Sequence, residues 1–231
     1  MNESLWLAFA ALDLVLVVAV FRFFGRVGLY GLIVFNLIVC NIQVLKTVEL
    51  FGVTTTLGNV LYASVFLSTD ILGEFYGKEE ARRGVLLGFV ILVMTTVYMQ
   101  IALQFAPAAD DFAQPHLMAI FGFFPRVALA SLAAYLISQF HDVWAFHALK
   151  DRFGGRHLWL RNCGSTLVSQ TLDTLVFCTV AFWGVFEPPL FLEIMATTLG
   201  MKAFMALLDT PFIYWARRVH KAAAAIDGSH A

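Results

Sequence analysis

The segment from Ser165 to Phe182, S-T-L-V-S-Q-T-L-D-T-L-V-F-C-T-V-A-F, is long and apolar enough to cross a bilayer, yet it carries Gln170 and Asp173 near its middle. A carboxylate at that depth costs about 2.5–3.5 kcal/mol on insertion scales, so an ionisable residue there marks a functional site. Ser169, Asp173 and Phe177 recur at i, i+4 and i+8, and Gln170 and Thr174 lie beside them on the same helical face. Carboxylate, amide and hydroxyl on one stripe are what a polar-ligand pocket inside a membrane requires. Phe177 adds an apolar face that can cover a flat heterocycle.

Other polar residues fall at mid-depth: Asn36, Asn41 and Lys202. Lys202 and Asp173 lie at similar depths on consecutive apolar segments, where pairing would relieve the cost of burying either charge alone. Such a pair either fixes helix packing only or forms part of a pocket whose charges a ligand completes. Asp70 and Glu74 are spaced i, i+4 in T-D-I-L-G-E-F-Y-G. Glu74 is expected in water or paired with Arg82, and Asp70 one turn deeper. Arg126 opens an apolar segment, where it either snorkels to the headgroups or faces a substrate. Ser138-Gln139-x-x-Asp142-x-x-x-Phe146 repeats the spacing of Ser169-Gln170-x-x-Asp173-x-x-x-Phe177. Two neighbouring helices therefore each carry a Gln/Asp stripe, although Asp142 also stands close enough to Lys150 and Arg152 to pair with them. Asp13 and Asp209 each stand alone in their segments. Cys40, Cys163 and Cys178 have no C-x-x-C spacing and read as small buried hydrophobes.

The elements that must position these groups are membrane helices. The chain has 231 residues, of which 60% are hydrophobic and only 13% charged, far from the composition of a soluble domain. Apolar stretches fall at 5–24, 28–47, 56–75, 84–106, 124–147, 164–186 and 190–214. Each approaches the ~20 residues that cross a ~30 Å hydrocarbon core, so the expected fold is all-α and polytopic, with about seven transmembrane helices. Arg22 and Arg26, then Lys78, Arg82 and Arg83, then Lys150, Arg152, Arg156 and Arg161, then Arg217, Arg218 and Lys221 occupy alternate connections. Asp110, Asp111 and Glu187 occupy the others, and Lys46 alone fits poorly. The basic bias puts the N-terminus outside and the C-terminus in the cytoplasm. The connection 106–123 is the longest, and its apolar second half is too short to span. It is expected as an outer loop resting on the headgroups, with a re-entrant piece as the alternative. The Ala-rich tail after His220 is expected to fray. No Walker A, Rossmann glycine pattern or zinc-type cluster occurs, so no cofactor is expected. Residues 5–20 lack the basic start of a signal peptide and contain Asp13.

A set of short motifs in fixed order carries a resemblance. These are Asn41-Ile-x-x-x-Lys46, Thr69-Asp70-x-x-x-Glu74-x-Tyr76-Gly77, Arg126-Val-Ala-Leu-Ala-Ser131, Gln139-x-x-Asp142-x-x-x-Phe146, Leu158-Trp-Leu-Arg161-Asn162, Ser165-Thr166-x-x-Ser169-Gln170-x-x-Asp173-Thr174-x-x-Phe177, and Lys202. Together, over about residues 28–216, they resemble the queuosine precursor transporters, the vitamin-uptake-like family. The resemblance implies an inner-membrane importer of 7-cyano-7-deazaguanine, 7-aminomethyl-7-deazaguanine or queuine for tRNA queuosine salvage, and not an enzyme. It also implies a core of about six helices, to which residues 1–25 add a further helix before the core and 217–231 a cytoplasmic tail, all within one transporter domain. Under it, the substrate-binding residues are Asn41, Asp70, Arg126, Gln139, Asp142, Ser169, Gln170, Asp173, Thr174 and Lys202. A deazaguanine presents N–H donors at N1 and the 2-amino group and an acceptor at O6. Asp173 can accept from both donors, and Gln170, Asn41 or Lys202 can serve the oxygen. The partners expected are this small molecule and the lipid bilayer, with a second copy of the chain or a separate energising module as candidates and no nucleic acid.

Two other classes compete. A retinal-type photoreceptor would use Lys202 for a Schiff base, but Thr198 stands one turn before it where an Asp is usual. An intramembrane enzyme would need a nucleophile activated by a nearby base. The orientation is directly testable in a background lacking the three native cysteines. Single cysteines at positions 111 and 187 should react with an impermeant reagent in intact cells, and those at 155 and 223 only after lysis. Labelling of position 155 from outside would invert the topology.

Overall fold

The computed structural model describes the backbone of residues 1–153 and 158–227; the described side chains leave out 139–140, 142–167, 206–210 and 221–231. The elements in order are α1 (Asn2–Gln43), β1 (Thr47–Leu50), β2 (Val53–Thr56), α2 (Asn59–Tyr76), α3 (Lys78–Ala102), α4 (Gln114–Phe121), α5 (Phe124–Phe153), α6 (Leu158–Phe182) and α7 (Pro188–Asp227).

α1 is not one rod. A straight helix of 42 residues would be roughly 63 Å long. Yet Asn2 donates its side-chain amide to the Glu49 carbonyl at 3.1 Å, and the Phe51 amide donates to Glu3 Oε1 at 3.3 Å. Both contacts lie just past the far end of α1, so the helix must double back. It does so at Gly25, whose φ of 55° and ψ of −136° are non-helical. A side chain would strain that conformation, which is why a glycine stands there. The expected spans 5–24 and 28–47 are therefore the two antiparallel halves of α1, joined by a kink rather than a loop.

The second departure is the hairpin β1–β2, antiparallel with Thr47 opposite Thr56 and Leu50 opposite Val53. An all-helical reading placed only a connection here. The β-branched run T-V-E-L…V-T-T-T favours strands, and Phe51 and Gly52 take the positive φ values of 54° and 78° that close the tight turn. Thr54 is tied to α7, its amide donating to Glu193 Oε1 at 2.5 Å and its carbonyl accepting from Thr197 Oγ1 at 3.0 Å. After the hairpin, Gly58 lets the chain pass the end of α1: a Cβ there would lie 2.5 Å from the Cys40 carbonyl.

The connection 106–123 contains α4, eight residues with none buried, about 12 Å long and so far short of a span. Gln100 holds it by donating to the Phe121 carbonyl at 2.6 Å. α7 also runs further than the expected fraying tail, continuing to Asp227, since alanine is the best helix former.

Three apolar clusters hold the bundle. Leu14, Val17, Leu29, Ile33, Leu67, Ile71 and Met205 join α1, α2 and α7. Val127, Ala130, Cys178, Phe182 and Ile194 join α5, α6 and α7, and Leu37, Phe89, Leu92, Phe124 and Ala128 join α1, α3 and α5. Outside this core the apolar residues continue to the surface: Leu86, Val90, Val93, Val97 and Ile101 are exposed along α3. Such a face suits lipid, not water. Among the described residues, α1, α3 and Gln114–Ser138 are long and apolar enough to span, and Val168–Phe182 is a shorter apolar helix. The protein is an α-helical membrane protein that carries a small hairpin.

Charged pairs gather beside the Gly25 turn and the junction of α2 with α3. Arg26 and Arg83 both reach Glu80, at 3.0 and 2.8 Å. Glu74 pairs with Arg217 at 2.8 Å rather than with Arg82. These exposed pairs add little net stability, so they register the helix ends rather than stabilise them. Gly25→Val should cost roughly 1–3 kcal/mol through its backbone conformation and lower the melting temperature in detergent. An unchanged midpoint would mean that α1 does not turn there.

Candidate functional site

Where α1, α2, α5, α6 and α7 converge, the helices border a partly open cavity with about 420 Å³ of empty space. Its position follows from the three apolar clusters, each of which seals a different set of helices and leaves the centre open. The second half of α1 contributes Cys40, Asn41 and Val44; α2 contributes Asn59 and Tyr62; α5 contributes Ser131 and Ala134. Asp173 and Phe177 enter from α6, and Thr198 and Lys202 from α7.

At its heart Lys202 Nζ donates to Asp173 Oδ2 at 2.5 Å, both side chains about nine-tenths buried. The ammonium also sits over the Tyr62 ring, 4.5 Å from its centroid, a cation–π contact strengthened by the lack of water. The Tyr62 hydroxyl lies within reach of the same carboxylate. Tyr62 is itself set by an edge-on contact with Phe66, with centroids 4.8 Å apart. Asn41 is held at both ends: its amide donates to the Leu37 carbonyl at 2.6 Å, and its carbonyl accepts from Ser131 Oγ at 2.6 Å. Asn59 donates into a web of Thr55, Thr56 and Thr198 oxygens at 3.3–3.4 Å, which ties the base of the hairpin to α7.

Of the residues expected to bind substrate, Asn41, Asp173 and Lys202 line this cavity. Thr174 is buried but bonds the Gln170 carbonyl of its own helix at 3.0 Å. Ser169 faces His141 Nδ1 at 3.1 Å, and Gln170 Oε1 is buried without a hydrogen-bond partner. Neither lies in the cavity wall; they continue the α6 stripe beyond it. Asp70 is on an exposed face of α2, about two turns past Tyr62. Arg126 is elsewhere altogether. Its guanidinium donates to the Val180 and Trp183 carbonyls at 2.7 and 2.6 Å and lies over the Phe123 ring, so it caps the C-terminal end of α6. Gln139 and Asp142 lie outside the described side chains.

The cavity also uses residues the sequence reading passed over. Cys40, taken for an inert small hydrophobe, is part of the wall. Asn59 and Tyr62 opened an apolar segment and carried no spacing that singled them out. The His141–Ser169 pair joins two helices, α5 and α6 each supplying one partner.

The arrangement defines a class first: a membrane-embedded helical bundle with a small, apolar-walled cavity, one buried carboxylate–ammonium pair and aromatic faces beside it. Such a cavity recognises a compact polar molecule; one oxygen of Asp173 is taken by Lys202, and a carboxylate offers about four lone-pair directions in all. The family follows from likeness. Residues 56–216 match the family described as "Putative vitamin uptake transporter". The chain is 45% identical over 219 residues to a "Probable queuosine precursor transporter" of Bacillus subtilis (strain 168), covering 94% of this chain and 96% of that one. It is 32% identical over 160 residues to the "Queuosine precursor transporter" of Escherichia coli (strain K12), covering 68% and 69% of the two chains. No solved structure matches it. The chain belongs to this family of vitamin-uptake and queuosine precursor transporters.

If the pair acts as one unit, Lys202→Met and Asp173→Asn should each destabilise the protein strongly, by about 3–5 kcal/mol, because each leaves a lone buried charge or an unmatched partner. The double variant should lose less than the sum, read as thermal midpoints in detergent. Strictly additive losses would show that the two side chains act independently.

Proposed function

We propose that the protein imports 7-deazaguanine precursors of queuosine across the cytoplasmic (inner) membrane, with its N-terminus outside, about seven spans and its C-terminus inside. The observation that carries the reading is the cavity's chemistry: a buried acid–base pair flanked by the Tyr62 and Phe177 rings, in a chain 45% identical to a protein named as a transporter of such precursors. A deazaguanine is flat, with two adjacent N–H donors and a carbonyl acceptor on one edge. Asp173 accepts from the donors, Lys202 donates to the oxygen, and the aromatic rings cover the faces.

Asn41 and Ser131 hold each other across α1 and α5, so they fix the width of the pocket more than they recognise the base. Ser169, Gln170 and Thr174, with Asp70 and the Gln139/Asp142 stripe, are assigned to the path on the cytoplasmic side of the pocket rather than to its wall. Arg126 is assigned to capping α6. The proposed work is binding and release, without covalent change of the substrate. A retinal or enzymatic role gains nothing from the family to which the chain belongs.

The test is restoration of queuosine in tRNA of cells that cannot make the precursor. These cells express the chain and are supplied separately with 7-cyano-7-deazaguanine, 7-aminomethyl-7-deazaguanine and queuine. At least one base should restore the modification, and failure of all three would overturn the reading. At matched membrane abundance, Asp173→Ala should abolish uptake, since losing a charged acceptor costs roughly 1–3 kcal/mol or more. Glu74→Gln, which breaks only an exposed pair with Arg217, should have a much smaller effect. Normal uptake by the Asp173 variant would move the site elsewhere.

A further inference from the structure

On the far side of α2 from the cavity lies a second buried polar group that the binding of a base does not use. Asp13 of the first half of α1, Asn36 of the second half, and Ser64 and Ser68 of α2 are all buried, with exposures of 7%, 1%, 0% and 0%. Asn36 Nδ2 donates to Ser64 Oγ at 2.7 Å, the Ser64 hydroxyl donates to the Leu61 carbonyl at 2.9 Å, and the Asp13 carboxylate lies within reach of the same Ser64. Three oxygens have no hydrogen-bond partner: Asp13 Oδ2, Asn36 Oδ1 and Ser68 Oγ. Buried acceptors are almost always satisfied, so three in one cluster call for a ligand that supplies positive charge.

We propose that Asp13, Asn36, Ser64 and Ser68 form an intramembrane site for a small monovalent cation, a proton or a sodium ion, whose binding drives substrate movement. The proposal rests on the import reading above and adds its energy source. The donor set consists only of hard oxygens: carboxylate, amide carbonyl and hydroxyl. That is the chemistry of a small hard cation, and a proton on Asp13 would likewise turn an unpartnered acceptor into a donor.

The surrounding ionisable groups leave the site's charge uncompensated. On the second half of α1, Cys40 is within electrostatic reach of Asp13. On α2, Asp70 is on an exposed face and Glu74 pairs with Arg217. On α7, Lys202 is committed to Asp173, His220 stacks on Phe21 and Phe75, and Asp209 lies outside the described side chains. Among the described residues, no ion pair reaches Asp13.

Coupling is built into the shared helices. Asn36 lies about one turn from Cys40 and Asn41 in the cavity wall, and Ser64 and Ser68 follow Asn59 and Tyr62 on α2. Cys40 is within electrostatic reach of both Asp13 and Lys202. A cation that draws the two halves of α1 onto α2 therefore moves two walls of the substrate pocket. This gives the first half of α1, outside the residues matched by the family model, a role in transport rather than in anchoring alone.

The experiment uses the full chain in proteoliposomes with the labelled base that restores tRNA queuosine. Uptake is measured under an inward proton gradient without sodium, an inward sodium gradient at clamped pH, and no gradient; exchange of internal for external base is measured without any gradient. One gradient should raise wild-type uptake several-fold, and which one identifies the ion. Asp13→Asn should lose that stimulation while keeping exchange, and the milder Ser68→Ala should weaken it. Wild-type uptake indifferent to both gradients, or Asp13→Asn still fully driven, would overturn the coupling site. Absence of exchange in the wild type would instead overturn the import reading, and this proposal with it.

Discussion

A charge cannot remain alone in hydrocarbon, and the arrangement of this bundle answers that constraint. Asp173 and Lys202 come from consecutive helices and meet at 2.5 Å, both side chains about nine-tenths buried. Their pairing sets the relative height of α6 and α7. The Tyr62 ring beside Lys202 extends the same constraint to α2. A buried pair of this kind adds little net stability compared with a well-packed apolar pair of equal volume. Its presence is best understood through what it can recognise: a pocket that already holds both signs of charge can bind a neutral molecule with donors and an acceptor on one edge.

The hairpin and the first half of α1 form a second mechanical unit around the same pocket. The chain reverses at Gly25, bringing Asn2 and Glu3 back to β1 and its turn, while Thr54 and Asn59 bind the hairpin to α7. A short sheet in an otherwise helical membrane protein must satisfy its edges. Here Glu193 and Thr197 take up the amide and carbonyl of Thr54. The hairpin leads directly into Gly58 and Asn59 of the cavity wall, so its docking on α7 fixes one side of the site.

Several site residues were legible from the chain because their cost is local. Asp173 and Lys202 are conspicuous in apolar segments whatever surrounds them, and Asn41 stands out for the same reason. Tyr62 and Cys40 were not legible, because a tyrosine or cysteine in an apolar helix is at home on any face. Arg126 misled for a related reason. At a helix start near the surface its charge is cheap, so its partners could be read only from the carbonyls of a helix about 54 residues later. The hairpin was concealed by length: eight strand residues between two long apolar runs look like a connection.

Composition and the places of isolated charges by themselves determined the lipid-compatible helices, because burial in hydrocarbon acts on each segment separately. They also determined that a carboxylate and an ammonium lie deep within that bundle. Which residues meet was decided by the tertiary structure alone. Doubling α1 back at Gly25 sets Asp13 beside Ser64 and Asn36 against the same helix, and crossing five helices puts Tyr62 under Lys202. Those contacts join positions tens of residues apart, and helical periodicity carries information over only a few turns.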